Sequence, residues 1–191
     1  MSTSAPWQVD DWDLHSDLAK IGQQWASIRR VLEDAAMFDR REPEVSLWSC
    51  GQHAGHAVMV AQTIADRIEG NLADPDRHRD EAAPELAIRV LSAGRFKRGS
   101  ATAPPDVRPE SMGSADLLRL LPPAVEAWER LRARADEIRD CPAPYPHFRL
   151  GSLGSSEWVR MCAVHNAHHL AIVRDVDGGT STASWDHEAT P

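Results

Sequence analysis

Two histidines one helical turn apart, His165 and His169, sit in the run from Trp158 to Val173, whose apolar residues recur at helical spacing. Read as a helix, the stretch places Trp158, Cys162, His165, His169, Ile172 and Val176 at steps of four and three, one inward stripe. Two imidazoles on a face destined for burial, one turn apart, can point at a single metal ion. A second cluster, Trp48-Ser49-Cys50-Gly51-Gln52-His53-Ala54-Gly55-His56, opens another apolar run and puts His53 and His56 near the start of a further helix. If the two helices pack side by side, one of these histidines completes a three-imidazole site. The other lines the pocket or hydrogen-bonds a ligand from outside the coordination sphere.

Three nitrogen ligands leave coordination positions open, as a reactive site requires. Imidazole suits zinc, nickel, iron and copper alike, so the histidines do not name the ion. Asn166 follows His165 where a metalloprotease HExxH would supply a glutamate base, which disfavours peptide hydrolysis. His168 lies about 100° around the helix from His169 and is expected to face a flank or solvent. Cys162, on the same stripe, reads as a buried structural thiol. Cys50, near a helix start, could have its pKa lowered by the helix dipole, but nothing aims it at the cavity. No serine–histidine–aspartate arrangement, phosphate-cradling glycine loop or carboxylate pair is present.

The elements that must position these residues are helical. Leu14, Leu18, Ile21, Trp25, Ile28, Leu32 and Ala35 define a first amphipathic helix, with Asp10, Asp11 and Asp13 at its positive end and Arg40-Arg41-Glu42-Pro43 stopping it. The second runs from about Ser49 to about Glu69, ended by Gly70-Asn71. A short helix is expected from about Pro84 to Ala93, then an extended excursion through Gly94-Arg95-Phe96-Lys97-Arg98-Gly99 to Pro104-Pro105. A third long helix spans about Ser114 to Asp140, kinked at Pro122-Pro123 or starting its long part there. Cys141 to Pro146 forms a stiff connector, and a cap at Gly154 with Glu157 opens the fourth helix. No strand of useful length is expected. The architecture is all-α, a four-helix bundle with a long connection between helices 2 and 3: residues 1–10 flexible, 11–176 one domain, 177–191 a flexible tail.

Composition narrows the function classes. A chain of 191 residues with 42% hydrophobic content can bury a sizeable core. A net charge of −8, with arginines spread among acids, argues against nucleic acid as a partner. No apolar run approaches the roughly 20 residues of a membrane span, and the N-terminus lacks a basic and hydrophobic leader. Three cysteines without CxxC spacing make no disulfide framework, so a soluble protein of a reducing cytoplasm is expected.

The Trp48-Ser49 pair with His56 eight residues after the tryptophan, and Gly151 to Trp158 leading into His165-Asn166-Ala167-His168-His169, resemble the DinB-like (YfiT-like) superfamily of metal-binding four-helix bundles. The likeness runs over residues 10 to 176, and the segment from Gly94 to Pro104 resembles one subgroup. Gly154, where the family often has Thr or Ser, and the Pro122-Pro123 break depart from its pattern. The resemblance implies His56, His165 and His169 as ligands of a divalent metal ion, zinc or nickel first, and puts His53 at a position that does not ligate. It also implies a small-molecule substrate and allows a homodimer. Members include thiol-cofactor transferases and thiol-dependent isomerases. Three functions therefore compete: a metal-dependent enzyme passing a low-molecular-weight thiol to an electrophile, a metal-dependent hydrolase, and a non-catalytic metal-binding or helical interaction protein.

Overall fold

The computed structural model describes residues 5, 7–9, 11–76, 84–99 and 102–178. The expected tail lies almost wholly outside them. Four long helices form the bundle: α1 (Leu14–Glu33), α3 (Cys50–Ala73), α5 (Ser114–Ala133) and α7 (Ser155–Gly178). Short helices α2 (Ala35–Asp39), α4 (Glu85–Ser92) and α6 (Ala135–Asp140) and a 3-10 turn at Pro105–Val107 connect them. Each long helix packs on two neighbours, in the cyclic order α1, α5, α3, α7, with α1 also reaching α3 across the core. The amphipathic stripes supply the interior: Ile21, Ile28, Leu32, Ile64, Ile68, Leu117, Leu121, Leu131 and Trp158 are almost wholly excluded from solvent. No helix among the described residues is long and apolar enough to cross a membrane.

Local chemistry sets the boundaries, and several differ from the expected ones. Helix α1 stops at Glu33, short of the Arg40–Pro43 signal, because the Asp34 carboxylate accepts the backbone N–H groups of Ala36 and Met37 and caps a new helix there. A capping box opens α3: Gln52 N–H donates to Ser49 Oγ while the Ser49 N–H donates to Gln52 Oε1. The helix then passes through Gly70-Asn71 to Ala73. Asn71 is no terminator. Its buried amide donates to the Ala143 carbonyl at 3.0 Å and to Ser155 Oγ at 3.3 Å, tying α3 to the entry of α7.

Pro122 and Pro123 lie inside α5 without ending it. Both sit on the exposed face, where water can reach the carbonyls that lose their helical donors. The expected single helix to Asp140 is instead divided at Arg134. Between Cys141 and α7 the chain forms a short antiparallel hairpin that period-two reading did not anticipate: β1 (Tyr145–His147) pairs with β2 (Gly151–Leu153). His147 Nδ1 accepts the backbone N–H groups of Arg149 and Leu150, and Gly151 takes φ +77°, so the turn is held by side-chain and backbone chemistry rather than by strand length. Within the segment expected to be loose, Trp7 and Val9 pack against the core, and the Trp7 ring lies 5.1 Å from the Arg174 guanidinium.

Two predictions arise from the packing. A Cβ on Gly55 would stand 2.4 Å from Leu117 Cδ1, so α3 and α5 approach here only because the side chain is absent. Gly55→Ala is expected to destabilise by about 1–3 kcal/mol, read as a lower urea midpoint. Burial, with the charges of Arg67 and Arg149, pushes His147 down to about 4. The folded state keeps this ring neutral while the unfolded chain binds a proton below about 6.5. Stability from this group is therefore present above that pH and lost as pH falls toward 4. His147→Asn, which retains an acceptor for the turn, should shrink the stability loss between pH 7 and pH 5 by about 2 kcal/mol.

Candidate metal centre

Helices α3 and α7 run antiparallel, so residues early in α3 face the middle of α7. His53 meets His169, and His56 meets both His165 and His169. The ring centroids of His56, His165 and His169 are mutually 4.5 to 4.9 Å apart. One nitrogen from each lies within 4.8 Å of the others, and among the described residues no carboxylate or thiol joins the group. The capping box at Ser49 matters here, since it starts α3 at the residue that brings His56 onto the inner face.

The surroundings leave these nitrogens free to ligate. His56 Nδ1 donates to the Val107 carbonyl at 2.7 Å, so its Nε2 is left as the ligand atom. His169 Nδ1 and His53 Nδ1 are 2.9 Å apart, and His53 Nε2 is 2.8 Å from Ser46 Oγ. For His169 to ligate through Nε2, its proton must sit on Nδ1 and be donated to His53 Nδ1. His53 then carries its own proton on Nε2 and donates it to Ser46 Oγ, which also accepts the Trp48 N–H at 3.2 Å. The hydrogen bonds agree with one tautomer throughout. His165 differs: its Nδ1 is buried with no hydrogen-bond partner. A buried imidazole nitrogen unanswered by protein fits a site whose last partner is a bound ion.

Burial is the leading cause that lowers the pKa of all three rings, slightly offset at His56 by the bond to Val107. Neutral rings at pH 7 present lone pairs, the form a metal needs. Two bonds of about 2.1 Å at a tetrahedral angle separate nitrogens by roughly 3.4 Å, a closure within reach of ring rotation. The donor set therefore fits a divalent ion.

The remaining candidates sort cleanly. His53, pushed to about 3 by burial and by neighbouring charges, supports His169 and is not one of the three grouped rings. His168 is half-buried on the flank, its ring 6.0 Å from Phe96, and also lies outside the group. Cys162 is fully buried and accepts a long hydrogen bond from Asn166 Nδ2 at 3.8 Å, while burial raises its pKa. Cys50 donates to the Val173 carbonyl, and burial, ahead of the Asp177 charge, pushes its thiol up to about 11, opposite to what a helix dipole alone implies.

Three contributors had no sequence signal strong enough to place them. The Val107 carbonyl is backbone and carries no side-chain signature. Trp48, whose ring stands 5.1 Å from His56 and 5.4 Å from His53, was visible only as part of a motif. Phe96, 6.4 Å from His165, comes from the long excursion, whose length was its one clue. His53→Ala should reduce divalent-metal affinity by about 10- to 100-fold while leaving the three grouped rings in place, measured by competition with a chromophoric chelator.

A sequence model described as the DinB superfamily matches residues 20–173. No curated protein and no solved structure matches the chain.

Proposed function

We infer the function from two facts taken together: this chain belongs to the DinB superfamily, and it holds three imidazoles able to grip one metal ion. The reading they support best is a metal-dependent transferase that passes a low-molecular-weight thiol to an electrophilic small molecule. The observation that carries it is the donor set. Three neutral nitrogens, with no carboxylate in the group among the described residues, leave the charge of a divalent ion uncompensated and its remaining positions open. An anionic sulfur ligand answers both deficits.

A zinc or nickel ion held by His56, His165 and His169 would supply the Lewis acidity that keeps a coordinating thiol deprotonated at neutral pH. The chain's own residues prepare the site. The His53–Ser46 pair fixes the tautomer of His169, and the Val107 carbonyl fixes that of His56. Trp48 and Phe96 provide apolar walls that exclude water. Hydrolysis, in which the ion would itself acidify a bound water, is the second reading; it lacks the glutamate that a metalloprotease HExxH carries. Asn166, next to a ligand in sequence, is buried and turned to Cys162 instead.

The test is a panel of physiological thiols with halogenated, epoxide and enone electrophiles, assayed with protein reconstituted in zinc or nickel. Conjugation above the spontaneous rate that disappears on chelation is expected. Turnover that needs metal but is indifferent to thiol would replace this reading with hydrolysis.

A further inference from the structure

We propose that Arg98 is the anion-recognition arm of this metal site, so that the thiol bound there carries a carboxylate or a similar anionic group. The inference deepens the thiol reading above and rests on it. Arg98 belongs to the excursion between α4 and α5, two residues beyond Phe96, whose ring lies 6.4 Å from His165 and 6.0 Å from His168. Its Nη2 donates to Asp175 Oδ2 at 2.7 Å. Asp175 follows His168 by seven residues, two turns along the same face of α7, so the guanidinium is anchored on the His168 flank of the site.

One half of that guanidinium is committed and the other is not. Nη1 is buried without a hydrogen-bond partner, although the side chain as a whole is only 23% exposed. A cationic N–H withdrawn from water and left unbonded is costly, and an arriving anion would relieve the cost. Asp175 does not depend on Arg98 alone, since Arg174 also donates to its Oδ1 at 2.7 and 3.0 Å. Arg98 and Arg174 thus both pair with the one carboxylate of Asp175.

A ligand whose sulfur sits at the three histidines would turn its anionic end toward the unbonded Nη1 of Arg98. The planar fork suits a carboxylate, which it can meet through Nη1 while Nη2 stays with Asp175.

The probes are 3-mercaptopropionate and its neutral isostere 3-mercaptopropionamide, titrated into cobalt-loaded protein and followed by the sulfur-to-cobalt charge-transfer band. The acid is expected to bind about tenfold or more tightly than the amide. Arg98→Gln should erase that preference by weakening the acid alone, and Arg98→Lys should keep part of it. Cobalt affinity and melting temperature of each variant serve as the check on folding, with Arg174 still holding Asp175. Equal binding of acid and amide by the unmodified protein, or a preference that survives in Arg98→Gln, overturns the proposal and leaves the thiol reading standing. If neither thiol perturbs the cobalt spectrum, the thiol reading fails and this inference falls with it.

Discussion

Divalent-metal affinity should fall on the order of 10²- to 10³-fold when any one of His56, His165 or His169 is replaced by alanine. Each ring supplies one of three nitrogens that lie within 4.8 Å of one another. Two donors hold an ion far less tightly than three, because each lost bond also removes the advantage of a preformed cage. The three variants should not be equivalent in other respects. His56→Ala also releases the Val107 carbonyl from its 2.7 Å hydrogen bond, so the 3-10 turn at Pro105–Val107 should become more accessible to hydrogen exchange. His165→Ala removes a ring whose Nδ1 has no protein partner, so it should cost the metal-free protein least. Equal metal content in wild type and all three variants, measured after dialysis against a weak chelator, would end the assignment.

Arg160→Met should destabilise the metal-free protein by about 3–5 kcal/mol, a large part of the total stability of a domain this size. The Arg160 and Asp17 side chains are 1% and 2% exposed, with Nη1 donating to Asp17 Oδ1 at 2.8 Å. Arg160 Nε also donates to the Leu91 carbonyl at 3.0 Å, so one guanidinium joins α1, α4 and α7. Its loss strands a carboxylate in the core. Asp17 is already pushed up to about 6, by burial working against the arginine. The sign follows from that. A folded pKa above the unfolded value means the charged form is penalised in the fold, a penalty present at neutral pH and relieved as pH falls below about 6. The deficit of Arg160→Met should therefore shrink at pH 5 relative to pH 7. Combining it with Asp17→Leu should restore much of the stability, since a buried ion pair can be exchanged for apolar volume at little cost. Urea titrations of both variants at the two pH values test the claim, and a pH-independent deficit would contradict it.

The four long helices were legible because each carries an apolar stripe of period three to four long enough to outweigh local exceptions. Where sequence and structure differ, a short-range signal is outweighed by tertiary contacts. Gly70-Asn71 looks like a terminator, yet the Asn71 amide finds buried partners in Ala143 and Ser155, and α3 continues. Pro122-Pro123 looks like a break, yet both rings face solvent and α5 tolerates them. Asp34 looks like a helix residue and instead caps its successor. In each case the outcome turned on what lay across space from the residue.

By itself the sequence determined the helical stripes, the two histidine-bearing helices and the spacing that puts His165 beside His169, because these depend only on contacts within a turn or two of one chain segment. The family resemblance already implied that His56, not His53, joins them. Tertiary structure alone decided that His53 and Ser46 hold His169 from behind, that the carbonyl of residue 107 holds His56, and that the guanidinium of residue 98 bonds Asp175 on the helix carrying His165 and His169. The bonds of His53 to His169, of His56 to Val107 and of Arg98 to Asp175 span 116, 51 and 77 positions of the chain. They are fixed by how the core packs, and no local pattern encodes them.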